Sequence, residues 1–208
     1  MDTQSYPNEV QPQKQEPRSN SLIRDILDYI QIFVVAVCIV VTLFSFSGFR
    51  LCTVSGPSME NTLLDGEKLI TSNLFYTAKR GDVIVFHQTS DKNQNLNEPI
   101  VKRVIGVAGD TVCINHQTGE VKIKDRDGNE TVLEEPYCKP ENNVVNTSGS
   151  FATYTEVYVE EGTVFVMGDN RNRSLDSRNS AIGLVDTRRI LGKVVLRVTP
   201  FERFGPVA

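Results

Sequence analysis

Three short stretches of the chain carry side chains that could do chemistry together. In residues 54–63, Gly56 and Pro57 preset a tight backbone that presents Ser58 from a turn, with Met59 as its apolar neighbour. A serine hydroxyl becomes a nucleophile only beside a base. The run 100–107 supplies a candidate: strand alternation sends Ile100, Lys102 and Val104 to one face and Val101, Arg103 and Ile105 to the other. One of the two cations must then face apolar neighbours. A lysine amine has a pKa of about 10.4 in water, but burial disfavours its charged form and can lower that value by ~3–5, leaving a neutral amine that serves as a general base. The competing fate of such a lysine is to snorkel to water. The third stretch, 167–178, ends an apolar run at Gly168. It then brings together hydroxyls (Ser174, Ser177), acids (Asp169, Asp176) and arginines (Arg171, Arg178), the inventory of a rigid hydrogen-bonded scaffold.

Composition excludes other chemistry. The 208 residues hold 22 Lys and Arg against 26 Asp and Glu, a formal net charge of −4, so no positive excess exists to meet a phosphate backbone and nucleic acid is not an expected partner. Only two histidines (His87, His116) and four scattered cysteines (Cys38, Cys52, Cys113, Cys138) are present. That is too little for a metal centre or a disulfide scaffold, and no metal or other cofactor is expected. Whether Cys113 and Cys138 pair is left open.

The elements that must position these residues read plainly. Residues 1–20 are rich in Gln, Pro, Asn and Glu and are expected to be a disordered tail. Residues 21–49 read as one helix: Ser19, Asn20 and Ser21 offer caps, Leu22, Ile23, Ile26, Leu27 and Ile30 recur at helical spacing, and the roughly 21 residues from 29 to 49 carry no charge. Such a segment crosses a bilayer of ~30 Å. It lies too far from the start, and lacks a clean small-x-small site behind it, to be a cleaved leader. Lys14, Arg18 and Arg24 precede it and Arg50 follows, which points to a cytoplasmic N-terminus and an extracytoplasmic remainder. In residues 50–208, the β-branched runs 82–87, 100–107, 111–114, 120–124, 163–167 and 190–198, bounded by Gly, Asp and Asn, predict a mainly β domain, an antiparallel barrel or folded sandwich. Two polar stretches, near 88–98 and 134–155, read as inserted surface loops.

In their order along the chain these segments resemble one family, the bacterial type I signal peptidases, membrane-anchored Ser/Lys endopeptidases. The resemblance rests on Ser58-Met59 with Leu63, on Arg80-Gly-Asp-Val-Ile-Val-Phe86, on Val101-Lys-Arg-Val-Ile-Gly-Val-Ala-Gly-Asp110, on Gly168-Asp-Asn-Arg with Ser174, Asp176, Ser177 and Arg178, and on Gly192-Lys-Val. It covers about residues 25–198. It implies Ser58 as nucleophile and Lys102 as general base, with the Ser174 hydroxyl orienting the amine. Asp176 with Arg178, and Arg103 with Asp169, are implied as bracing ion pairs. It implies also that a preprotein binds as an extended strand beside Asp82, Val83, Ile84, Val85 and Phe86, near Met59, and is cut after a small-x-small motif at the outer membrane surface. One departure shows: some members carry a serine two residues before the nucleophile, where this chain has Gly56. The oxyanion hole must then use backbone N–H groups, of Ser58 and around Gly56. Three rival readings are a Ser/His/Asp peptidase using His87, a peptidase dedicated to one fibre or pilus substrate, and a non-enzymatic membrane-tethered β module.

Overall fold

The computed structural model describes residues 18–46, 48–88, 98–116, 118–138 and 156–207. Residues 1–17 of the expected tail and most of both polar stretches lie outside them, while 18–20, expected as tail, belong to a helix. The chain divides into two compact units that meet at Ser45 and Phe46.

The first unit carries one helix, α1 (Arg18–Phe46). It starts earlier than expected, so Ser19, Asn20 and Ser21 lie within it rather than capping it. Leu22–Leu43, 22 residues with mean hydropathy 2.5, has none of its residues buried among the described ones. At about 1.5 Å per residue this stretch reaches across a bilayer's hydrocarbon layer. The helix stops before Gly48, whose φ of 66° leaves the right-handed region, and a strand follows at once.

The second unit is antiparallel β throughout. Strands β1 (Phe49–Thr53), β2 (Lys68–Ser72), β3 (Val83–His87), β4 (Pro99–Val107), β9 (Thr163–Met167), β10 (Val185–Asp186) and β11 (Ile190–Thr199) form one seven-stranded sheet in the order β1-β2-β11-β3-β4-β9-β10. Strands β5 (Thr111–Ile114), β6 (Val121–Lys124), β7 (Glu130–Val132) and β8 (Glu156–Tyr158) form a second, in the order β7-β6-β5-β8. Among the described residues the larger sheet stays open, because its edge strands β1 and β10 do not pair with each other.

The large sheet is buried on both faces, which explains why β3 reads as an unbroken apolar run instead of alternating. On one face Val83, Val85, Val101, Leu69 and Val194 pack against Val54, Met59 and Leu63. On the other, Ile84, Phe86 and Val104 pack with Val164, Val166, Ile182 and Val185. Strand β4 is the hinge of the arrangement. It pairs with β3 from Pro99 to Arg103 and with β9 from Arg103 to Val107, then turns into β5 of the second sheet.

Candidate active site

Ser58 sits in a loop closed at its neck by two backbone hydrogen bonds, Val54 N–H to Glu67 O (2.8 Å) and Gly66 N–H to Val54 O (2.9 Å). Gly56 has φ 83°, a conformation side-chain-bearing residues rarely adopt, and it turns the chain into Pro57. A single helical turn follows, with Glu60 N–H donating to Pro57 O and both Thr62 and Leu63 N–H to Met59 O. Met59 and Leu63, both fully buried, fix this turn onto the sheet. Each such side chain contributes about 1.5–3 kcal/mol by leaving water.

Lys102 comes from the middle of β4, and its Nζ lies 2.7 Å from Ser58 Oγ and 2.8 Å from Val101 O. The amine is buried, at 3% exposure, while Ser58 remains half-buried and reachable. Desolvation dominates its titration and lowers the pKa to about 8, with Arg178 acting the same way and the nearby Asp176 and Asp169 partly opposing. Alternation required one of the two β4 cations to face apolar neighbours, and both are buried. Arg103 is accommodated because Asp169 takes it in a two-armed ion pair, Nε to Oδ1 at 2.9 Å and Nη2 to Oδ2 at 2.8 Å.

The stretch after β9 forms the floor of the site. Asp176 and Arg178 pair through Nε–Oδ1 at 2.8 Å and Nη2–Oδ2 at 3.0 Å, both fully buried. Burial alone would raise the Asp176 carboxyl; the Arg178 guanidinium and the Gly168 N–H hold it below its ordinary value instead. The Asn170 N–H donates to Ser58 O at 3.1 Å, tying the floor to the loop that carries Ser58. Ser174 departs from expectation. Its hydroxyl is buried and close enough to Asp176 to favour the ionised carboxyl, yet neither that contact nor one to Lys102 has the geometry of a hydrogen bond, and Oγ has no partner among the described residues.

Three further expectations need correction. Gly56 N–H is not an oxyanion donor, because it is engaged by the Asp65 carboxylate at 2.7 Å. The Ser58 N–H makes no hydrogen bond among the described residues and is left as the backbone donor there. A substrate strand has no room beside β3: Ile84 to Phe86 pair with β4 on one side and β11 on the other, and Val83, Ile84, Val85, Phe86 and Met59 are core side chains. Asp82 likewise faces inward, accepting from Tyr76 Oη (2.8 Å) and Lys193 Nζ (2.6 Å). The open edge is that of β4 itself. β9 begins pairing only at Arg103, so among the described residues the backbone of 100–102 has no strand partner on that side. His87, at the end of β3 opposite Pro99, makes no hydrogen bond to Ser58 or Lys102 among the described residues.

Several site residues escaped the sequence reading. Thr62 Oγ1 donates to Asp169 Oδ2. Glu135 pairs with the buried Arg171, and the Tyr137 ring lies under the Arg103 guanidinium at 4.0 Å from its centroid. The pair Pro136-Tyr137, apolar within a polar run, was the available signal that 134–138 is not a solvated loop. Cys113 and Cys138 are free, the latter donating its thiol to Asp169 O at 3.5 Å, so no bridge joins them.

Comparison with known proteins decides the family. A model described as signal peptidase, peptidase S26, matches residues 26–199. The chain belongs to the signal peptidase family. With membership comes the activity of a serine endopeptidase of the type I signal peptidase kind. Signal peptidase I of Bacillus licheniformis is 34% identical over 190 residues, 90% of this chain and 96% of that protein. Signal peptidase I of Bacillus caldolyticus is 38% identical, across 82% of this chain and 90% of its own, and signal peptidase IB of Staphylococcus aureus is 36% identical, across 73% and 78%. A solved signal peptidase I from Enterococcus faecalis is 28% identical with a TM-score of 0.41, covering 57% of this chain and 97% of that one.

Proposed function

We propose that Ser58 and Lys102 are the catalytic dyad that removes N-terminal signal peptides from exported preproteins. The observation that carries this reading is the 2.7 Å approach of a buried lysine amine to a reachable serine hydroxyl. In its neutral form Lys102 takes the Ser58 proton as Oγ attacks the scissile carbonyl. The oxyanion that forms is met by the Ser58 N–H. The carbon–nitrogen bond then breaks, the protonated lysine returning the proton to the new amino terminus of the mature protein. Water, deprotonated by the same amine, hydrolyses the ester and frees the signal peptide.

The substrate lies extended along the open edge of β4 at 100–102, which delivers its carbonyl to Ser58 by strand addition. Family resemblance supplies the preference for small residues at the first and third positions before the cut. Asp169, Arg103, Asp176 and Arg178 hold the floor and β4 in register, and the family resemblance supplies Ser174, whose hydroxyl has no hydrogen-bond partner among the described residues, as the group that steadies the amine during turnover. α1 anchors the enzyme in the cell membrane as a single pass. The excess of Lys and Arg before the span puts the N-terminus in the cytoplasm and the β unit outside.

The test is cleavage of a preprotein by the detergent-solubilised enzyme, with the cut mapped by mass spectrometry. Ser58→Ala and Lys102→Ala should each abolish it, and the double variant should lose no more than either single one, because groups that act as a unit are not additive. Near-normal turnover by Lys102→Ala would refute the lysine-base mechanism.

A further inference from the structure

The turn that carries Ser58 is gripped from the far end of the chain. After β11 ends at Thr199, a short 3-10 turn, Phe201–Arg203, folds back so that Gly205 and Arg197 exchange both backbone hydrogen bonds, at 2.8 and 3.2 Å. This return brings two guanidiniums onto one carbonyl oxygen. Arg197 Nη1 donates to Thr62 O at 2.9 Å and Arg203 Nη2 donates to the same oxygen at 3.2 Å. Arg197 Nε holds Arg203 O at 2.6 Å, so the two arginines are locked to each other.

The buried carboxylate of Glu67 offsets part of their charge. Arg203 Nη1 reaches its Oε1 at 2.5 Å and Arg197 Nη1 lies 3.5 Å from its Oε2. Glu67 is also the neck of the nucleophile loop, because its carbonyl accepts the Val54 N–H. The arginines therefore hold the loop at its neck and at the C-terminal end of the helical turn that begins beside Ser58. Thr62 passes the grip onward: its hydroxyl donates to Asp169, the partner of Arg103, which is the strand neighbour of Lys102.

We propose that Arg197 and Arg203 are positioning residues for catalysis, a clamp that acts through Thr62 to keep Ser58 Oγ within reach of the Lys102 amine. A half-buried carbonyl that accepts two charged donors is held far more stiffly than one that faces water alone. A loop turn bearing a nucleophile needs that stiffness, since a displacement of ~1 Å costs on the order of 10²-fold in rate. The clamp touches neither the open edge of β4 nor the surroundings of the amine, so its loss should appear in kcat and leave substrate binding and the pH dependence alone.

The inference rests on Ser58 and Lys102 being the dyad, and the experiment separates the two. Full-length wild type, Ser58→Ala, Arg203→Ala and Arg203→Lys are compared in detergent on a signal-peptide substrate, with kcat, KM, the pH midpoint and the thermal melt recorded for each. Arg203→Ala should lower kcat on the order of tenfold at a temperature well below its melt, with KM within about twofold and the pH midpoint unmoved. Arg203→Lys keeps the charge toward Glu67 but lacks the second donor arm, and should recover only part of the rate. Should Arg203→Ala fail to fold, Arg203→Lys is judged alone, by a reduced kcat at unchanged KM and pH midpoint. A kcat within twofold of wild type in the folded variant overturns the proposal, as does a rate loss that matches the unfolded fraction or appears as a raised KM. Retained cleavage by Ser58→Ala would instead overturn the dyad.

Discussion

Replacing Gly168 by alanine tests how tightly the floor and the nucleophile are built together. Gly168 follows β9 directly, and a Cβ at this position would stand 2.4 Å from Ser58 O, 2.3 Å from Ser174 Oγ and 2.5 Å from Ser174 Cβ, where ordinary contact begins at 3.4 Å. The Ser174 side chain has little freedom to turn away, because it is buried. The Ser58 carbonyl is backbone, and it is tied to Asn170 N–H at 3.1 Å. Gly168 itself is held by its N–H to Asp176 Oδ2 at 2.9 Å. Relief of the clash therefore has to move Ser58 outward by about 1 Å, the difference between 2.4 and 3.4 Å. That displacement would stretch the 2.7 Å approach of Oγ to Lys102 Nζ beyond hydrogen-bond range. A loss of kcat on the order of 10²-fold follows, which is about 2.7 kcal/mol of transition-state stabilisation, and overpacking should lower stability by about 1–3 kcal/mol. KM should change little, since the β4 edge is untouched. The assay is steady-state cleavage of a signal-peptide substrate alongside thermal denaturation. A folded Gly168→Ala enzyme with kcat within threefold of wild type would refute the reasoning.

Three other outcomes are expected. Because burial lowers the Lys102 pKa to about 8, kcat/KM should rise with pH through about 8 and level above it; a rise centred near 6.5 would assign the base to a histidine instead. The same shift has a stability consequence: the folded state releases this proton more readily than the unfolded state, so the charged lysine opposes folding below about pH 8, and wild-type stability gains from there to about 10.5. Lys102→Met should remove that gain and raise stability at pH 7 by up to about 3 kcal/mol, measured by denaturant titration at pH 7 and 10. Asp176→Asn strands the fully buried Arg178 charge and should cost about 3–5 kcal/mol. By removing the leading charge that favours protonated Lys102, it should also move the pH midpoint of the folded fraction downward, and an upward movement would contradict the electrostatics described above.

What the sequence by itself determined was set by local pattern. The uncharged stretch after Asp28 required a long apolar helix, and the β-branched runs required strands, because period and length are properties of neighbouring residues. Gly56-Pro57 announced the turn under Ser58, and the ordered motifs announced the family and pointed to Ser58 and Lys102, since each lies within a few consecutive residues. The tertiary structure decided the rest. Alternation required that one of Lys102 and Arg103 face apolar neighbours; both are buried, because the sheet is covered on its two faces and Asp169, 66 residues away, meets Arg103. Strand order, set by the return of β11 between β2 and β3, closed β3 to a substrate strand and left the edge of β4 open at 100–102. The Asp65 carboxylate that occupies the Gly56 N–H, the Glu135 and Tyr137 that support the arginines, and the Arg197–Arg203 grip on Thr62 join residues up to 141 positions apart. Such contacts have no local signature, because a hydrogen bond records only where the folded chain brings a donor to an acceptor.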